Sequence, residues 1–119
     1  DNPKVQLLTN FSGNQDDNAL SKRVAAAMIA AKADIIFTML NAGRTGAIEA
    51  CRDGGAKQIG NVRDWTNVEP DVFIGSAVAN SGIALLRAAE DLKGAGVKTN
   101  SVVKIGLDRP DAVRLALSP

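Results

Sequence analysis

The stretch Ala33–Leu40, with the sequence ADIIFTML, is a nearly continuous run of apolar residues. Such a run is typical of a strand that is covered on both faces of a parallel sheet. Before it, from Ala19 to Ala31, apolar residues recur at helical spacing, and after it Thr45–Arg52 predicts a second helix that stops at Gly54-Gly55. Helix, strand and helix in this order indicate βαβ units and a parallel sheet.

The rest of the chain continues this alternation. Five strands are predicted, and they are Val5–Leu8, Ala33–Leu40, Gln58–Val62, Asp71–Val78 and Ser101–Leu107. Asn80 is expected to cap a third helix that ends near Gly94, and Pro110 fits the first turn of a short last helix through Leu117. We therefore expect an α/β fold, a flavodoxin-like or Rossmann-like three-layer sandwich with a parallel five-stranded sheet, in a single domain over residues 1–119.

Composition excludes several classes of function. The 14 basic and 13 acidic residues nearly cancel, so no charge pattern predicts binding of nucleic acid or of an anionic membrane. The chain has no His and no Tyr, and Cys51 is its single cysteine. Serine and cysteine triads with His, disulfides and His-ligated metals are therefore excluded within the chain, and we expect neither an enzyme nor a cofactor. No apolar run reaches the ~20 residues of a membrane span, and Asp1–Lys4 has no apolar signal-peptide core.

Polar and aromatic side chains follow every predicted strand. In parallel sheets ligands bind beyond the carboxyl ends of the strands. The residues that we select there are Asn10, Phe11, Asn14 and Asp17 after the first strand, Asn41 after the second, Asn61, Asp64 and Trp65 after the third, Ser76 in the fourth and Asp108 after the fifth. Amides, hydroxyls and carboxylates beside flat rings suit a neutral polar ligand such as a sugar or a nucleoside. The same residue types also cap helices and form turns, so a structural role stays open for each.

Two alternatives come from other motifs. Gly43–Gly46 follows a strand and resembles a phosphate-binding turn, but it lacks both the full G-x-G-x-x-G spacing and a P-loop lysine. Asp16 and Asp17, with the distant Lys104, loosely resemble the acidic site of a receiver domain. A stand-alone flavodoxin-like or receiver-like signalling module, or a nucleotide-using enzyme lobe, therefore remains an alternative to solute binding.

Six short motifs together resemble the basic membrane protein family. Asn10–Asp17 (NFSGNQDD) is similar to the family's N-Y-x-G-S-F-x-D segment, and the others follow in the family's order: Ala33–Phe37 resembles "aDvif", Gly46–Ala50 "GvieA", Ile59-Gly60 with Asp64 "IGvDsD", Ser76 with Asn80 "tSvvKN", and Gly106–Asp108 "GLkD". The similarity covers nearly the whole chain.

The resemblance implies a substrate-binding protein of an ABC importer with the type I periplasmic-binding fold, of which this chain is similar to the C-terminal lobe only. It implies a small polar solute, with purine nucleosides the best-known ligands, held between this lobe and a missing N-terminal lobe. The resemblance also implies an ABC permease as the partner. It further implies a location outside the cytoplasm, either in the periplasm or anchored to the membrane as a lipoprotein. We further expect the isolated lobe to self-associate as a homodimer.

Four positions depart from the family pattern. Ala79 stands at the family's lysine, Val62 at its first carboxylate, Trp65 at a Gln and Phe11 at a common Tyr. The lost cation and carboxylate favour a different or less hydroxylated ligand than a nucleoside held through its ribose.

Overall fold

Three helices and four strands make up the part of the chain that the computed structural model describes, which is residues 3–94, 96 and 99–119. The helices are α1 (Asn18–Ala30), α2 (Arg44–Gly54) and α3 (Ser81–Lys93). The strands are β1 (Ile35–Phe37), β2 (Lys57–Val62), β3 (Phe73–Ala79) and β4 (Val113–Leu117). The predicted α/β class is confirmed, with the first three helices and the three central strands close to their predicted positions.

The four strands form one mixed sheet in the order β1-β2-β3-β4. β1 pairs with β2 and β2 with β3 in parallel, whereas β4 runs antiparallel to β3. The predicted sheet of five parallel strands is therefore corrected to a mixed sheet of four within the described residues.

Two predicted strands are absent from this sheet. Val5–Leu8 and Ser101–Leu107 adopt no strand conformation, and Leu7 and Val102 are 88% and 85% exposed. An apolar run makes a strand only where a neighbouring backbone can pair with it, and the sequence does not reveal which partners are within reach.

The predicted last helix, Pro110–Leu117, is also wrong. The backbone N–H groups of Ala112 and Val113 both donate to the carbonyl of Arg109, which closes a turn. Val113–Leu117 then pairs along the free edge of β3. A segment of five residues is too short for its apolar spacing to distinguish a helix from a strand. The backbone groups at the edge of β3 need hydrogen-bond partners, and this favours the strand.

The core lies between the helix pair α1–α2 and one face of the sheet. Phe73, Val72 and Cys51 are at most 1% exposed in it, and buried Ile36 and Ile48 pack with them. The buried thiol of Cys51 agrees with an unreactive core cysteine, and burial raises its pKa.

The opposite face of the sheet is open. Ile35 and Phe37 flank buried Ile36 and are 48% and 54% exposed, and Leu117 at the far edge is 69% exposed. No residue of α3 is buried. The predicted third layer is therefore not formed, and the radius of gyration of 17.6 Å exceeds the about 13–14 Å expected for a compact chain of this length.

Candidate functional site

Trp65 lies where the ends of β2 and β3 meet, and three contacts fix it there. Its indole Nε1–H donates to the carbonyl of Asn61 at 3.0 Å, and its backbone N–H donates to Ser76 Oγ at 3.0 Å. The ring stacks on Phe73 with 5.5 Å between the centroids. Gly60 makes room for it, because a Cβ at that position would lie 2.6 Å from Trp65 Cδ1. The indole is thus a rigid wall at the carboxyl edge of the sheet.

Asn61 joins this wall to the end of β1. Its side chain is 8% exposed, and its Nδ2 donates to the carbonyl of Thr38 at 3.0 Å and lies 3.0 Å from Met39 Sδ. Its Oδ1 accepts a hydrogen bond from the guanidinium of Arg44. Both ends of the amide are therefore occupied by the protein.

Arg44, the first residue of α2, brings a positive charge into the interior. It is 6% exposed and donates to Thr38 Oγ1 at 3.1 Å and to the carbonyl of Leu40 at 2.8 Å. Its guanidinium carbon lies 4.9 Å from the centroid of the Trp65 ring. Burial lowers the pKa of this guanidinium and the nearby charge of Arg63 lowers it further, although arginine stays charged in proteins.

Arg63 adds a second cation at the same ring. Its guanidinium carbon lies 4.0 Å from the centroid of Trp65, close enough for a cation–π contact. Unlike Arg44, it is exposed.

A pocket of about 390 Å³ opens beside this cluster, between the start of α2 and the loop after β2. Its lining consists of Asn41, Ala42, Arg44, Thr45, Ile48, Glu49, Arg52, Arg63, Trp65, Val68 and Glu69. The volume falls within the ~300–1,000 Å³ of small-molecule sites. Two of its charged residues, Arg52 and Glu69, pair with each other at 2.7 Å, and Glu49 pairs with Lys22 at 3.2 Å.

Half of the residues selected from the sequence meet at this edge. Asn41 and Trp65 line the pocket, and Asn61 and Ser76 support Trp65 from behind. Asp64 is adjacent, but its carboxylate accepts hydrogen bonds within its own turn. Asn41 Nδ2 donates to Gln15 Oε1 at 3.1 Å, which holds the preceding loop against the pocket rim.

The other five selected residues do not line the pocket. Asn10 and Phe11 are exposed in an irregular segment, with Phe11 90% exposed. Asn14 Oδ1 accepts from the backbone of Asp16, Asp17 caps α1 by accepting from Leu20 N at 2.9 Å, and Asp108 is exposed in the turn before β4.

Arg44 and Arg63 are the site residues that the selection omits. Both follow predicted strands, and Arg44 belongs to the Gly43–Gly46 turn discussed for phosphate binding. For Arg63 the sequence does contain a signal. It lies two residues before the only tryptophan, and arginine side chains commonly lie over the face of a tryptophan ring.

Neither a metal site nor a membrane helix emerges from the described residues. Nowhere among them do three or more His, Cys, Asp or Glu side chains gather so as to hold a metal ion. None of the described helices is long and apolar enough to cross a bilayer.

Comparison with known proteins identifies the family. Two solved structures share the fold. A solute-binding protein of an ABC transporter system from Aeropyrum pernix K1 is 20% identical with a TM-score of 0.77, over 90% of this chain and 30% of its own. A transcriptional activator of the comK gene from Bacillus halodurans is 16% identical with a TM-score of 0.74, over 89% of this chain and 37% of its own.

The chain thus spans about a third of the length of these structures. No curated protein matches the sequence. The model of the Bmp family, described as ABC transporter substrate-binding protein PnrA-like, matches residues 1–117, and the chain therefore belongs to that family.

Proposed function

We propose that this chain is one lobe of the solute-binding component of an ABC importer, and that the pocket beside Trp65 is its part of the solute site. The observation that carries the proposal is the meeting of three strand ends at this pocket, where Asn41 and Trp65 line the opening. In α/β sheets this edge is where ligands bind. Membership of the Bmp family supports the class of function.

The pocket divides its residues into two roles. Asn61 and Ser76 have their polar atoms committed to Thr38, Arg44 and Trp65, so they position the indole rather than contact a solute. Asn41, Thr45 and Arg63 are exposed at the opening, where a solute edge can reach them.

A purine nucleoside is the first ligand to test. Phe73 occupies one face of the indole, and the guanidinium of Arg63 lies over the ring at 4.0 Å. A planar base would stack on Trp65 only after Arg63 moves aside, which is feasible because Arg63 is exposed. Binding requires no bond making, in agreement with a transport rather than a catalytic role.

The solute would be enclosed by a second lobe. Closure of two lobes over a ligand excludes water and strengthens polar contacts, and a permease can distinguish the closed form from the open one. This mechanism places the protein outside the cytoplasmic membrane, either in the periplasm or anchored to the membrane surface.

Half of a two-lobe site binds weakly. A micromolar binder has about 8 kcal/mol of binding free energy, and half of that corresponds to roughly millimolar affinity. Calorimetry of this chain against nucleosides and sugars should therefore show little or no heat. Sub-micromolar binding by the monomer would contradict the shared site.

Because Trp65 is the only tryptophan, its indole N–H gives one NMR signal that reports on the pocket directly. Millimolar adenosine or ribose should shift this signal, and Asn41→Ala should reduce the shift. Asn10→Ala removes the same amide outside the pocket lining and should leave it unchanged. Equal effects of the two substitutions would exclude this pocket as the solute site.

We also propose that the chain self-associates. Apolar side chains on the open sheet face and on α3 are exposed together, and this much exposed apolar surface is typical of an interface.

A further inference from the structure

We infer that the solute of this site carries a negatively charged oxygen group, a carboxylate or a phosphate, which Arg44 and Arg63 bind. The inference rests on the proposed function and adds the chemical class of the ligand, since composition and family resemblance lead instead to a neutral solute. It depends on three observations at the pocket.

The first observation is that two positive charges share one ring. Arg44 and Arg63 lie 4.9 and 4.0 Å from the centroid of Trp65. Throughout the described ranges 3–94, 96 and 99–119, neither guanidinium lies within the 4.0 Å ion-pair distance of a carboxylate. The two like charges at this ring repel each other, and an anion bound between them would offset that repulsion.

The second observation is that one of these charges is buried. Arg44 is 6% exposed, and its three hydrogen bonds go to the neutral oxygens of Thr38, Leu40 and Asn61. Buried charges in proteins are usually paired with an opposite charge, because neutral acceptors compensate only part of the lost hydration. An anion in the pocket would supply the missing counter-charge.

The third observation is how the other charges of the lining are used. Glu49 pairs with Lys22 at 3.2 Å, and Arg52 pairs with Glu69 at 2.7 Å and with Asp71 at 2.7 Å. These pairs neutralise one another and leave Arg44 and Arg63 as the cationic end of the pocket. The planar fork of a guanidinium donates two parallel hydrogen bonds to a carboxylate or phosphate, so an exposed arginine such as Arg63 can close on the anion from outside.

The experiment compares probes that differ only in charge. Nicotinate and nicotinamide share a ring and differ by a carboxylate against an amide, while adenosine monophosphate and adenosine differ by a phosphate. Each is titrated at constant ionic strength against this chain, with the indole N–H signal of Trp65 as the readout. We expect at least one charged member to bind roughly tenfold more tightly than its neutral partner, because hydrogen bonds between charged groups are stronger than those between neutral ones. Which pair responds separates a carboxylate ligand from a phosphate ligand.

Four variants show whether the preference comes from this site. Arg63→Gln should bring the charged-to-neutral affinity ratio close to one, and Arg63→Lys should restore part of it. Arg23→Gln removes the same charge from the exposed surface of α1, outside the pocket lining, and should leave the ratio unchanged. Arg44→Lys keeps the buried charge without the fork and should lower the ratio, with circular dichroism confirming that the variant is folded.

The outcomes separate this inference from the proposed function. If neutral adenosine and neutral nicotinamide both shift the Trp65 signal as strongly as their charged partners, the pocket binds solutes but the anion inference is wrong. If Arg23→Gln lowers the ratio as much as Arg63→Gln does, the preference is a general charge effect and the inference also fails. If no probe of either charge shifts the signal at millimolar concentration, both the inference and the proposed pocket are contradicted.

Discussion

Asp64 is held by its own turn. Its carboxylate accepts hydrogen bonds from the backbone N–H of Thr66 at 3.0 Å, from the hydroxyl of Thr66 at 2.6 Å and from Asn67 Nδ2 at 3.1 Å. The hydroxyl bond is the main cause that lowers the pKa of this carboxyl below its ordinary value of 3.8. The family motif places a carboxylate here, and the geometry uses it to shape the loop that carries Trp65.

This geometry predicts a pH dependence. Because the folded pKa lies below the unfolded one, the stabilisation is complete above the unfolded value and is lost as pH falls through the folded value. The free energy of unfolding, measured with urea between pH 5 and about pH 2, should therefore fall less with acidification for Asp64→Asn than for the parent chain. Asn10→Asp, which adds a carboxyl in an exposed segment, is the control and should not flatten the profile. If the unfolding free energy falls equally with acidification in the parent chain and in Asp64→Asn, this role for the carboxylate is contradicted.

Gln58 is a polar side chain inside the core. It is 0% exposed, and its Nε2 donates to Cys51 Sγ at 3.2 Å, whereas its Oε1 has no hydrogen-bond partner among the residues that the structure describes. A buried acceptor without a partner costs about 1–3 kcal/mol, and Met has nearly the same shape and no such acceptor.

We therefore expect Gln58→Met to raise the free energy of unfolding by about 1 kcal/mol. Urea denaturation followed through the Trp65 fluorescence measures the change. The matched control is Gln6→Met, at an exposed residue of an irregular segment, which should have little effect. A loss of stability in Gln58→Met would mean that the amide contributes more than its single hydrogen bond to Cys51 indicates.

At the scale of elements, α1 and α2 are joined by a close backbone approach at Gly46. A Cβ on Gly46 would lie 1.9 Å from the carbonyl oxygen of Asn18, and Asn18 Oδ1 accepts from the N–H of Gly46 at 3.0 Å. Helix propensity favours Ala over Gly by about 1 kcal/mol, whereas this contact requires the two helices to separate. The cost of this clash should exceed the gain in helix propensity, because the obstructing atom belongs to the backbone and cannot rotate away.

Gly46→Ala should accordingly destabilise the chain by about 1–3 kcal/mol, the usual range of overpacked sites. Gly54→Ala provides the contrast within α2, because its Cβ would meet side-chain rather than backbone atoms, Ile29 Cγ2 at 2.9 Å and Cδ1 at 3.3 Å. Thermal melts of the two variants should rank Gly46→Ala well below Gly54→Ala. The reverse ranking would contradict the close backbone approach of α1 and α2 at Gly46.

The same scale shows what the sequence could and could not predict. α1 and α3 were predictable because Asp17 and Asn80 cap them and their apolar spacing is helical. β4 was not, because a five-residue strand depends on the free edge of β3, which no local pattern encodes. At the site, strand order alone brings Asn41 and Trp65 together. The use of Asn61 and Ser76 as internal supports depends on side-chain directions that become known only in three dimensions.

At the scale of the whole molecule, two apolar surfaces lack a covering layer. One is the open sheet face, where Phe37, Ile59, Gly75 and Leu117 pair in one row across the four strands. The other is α3, whose Leu85, Leu86 and Leu92 are 74%, 60% and 68% exposed. An α-helix on an apolar sheet face is the arrangement that α/β folds use to cover a sheet.

The two surfaces of one copy can therefore cover those of a second copy, with α3 of each chain on the sheet of its partner. Full burial of a large apolar side chain contributes about 1.5–3 kcal/mol, so burial of these leucines in both copies favours a dimer and offsets part of the cost of association. We expect light scattering to give the mass of a dimer at high concentration.

Leu86→Glu should shift the equilibrium towards monomer by at least tenfold, because it places a charge in the apolar contact. Arg87→Glu alters the charge of the neighbouring position on the same helix and should change the equilibrium less. A strict monomer at every concentration, or equal effects of the two substitutions, would show that these surfaces are not covered by a second copy.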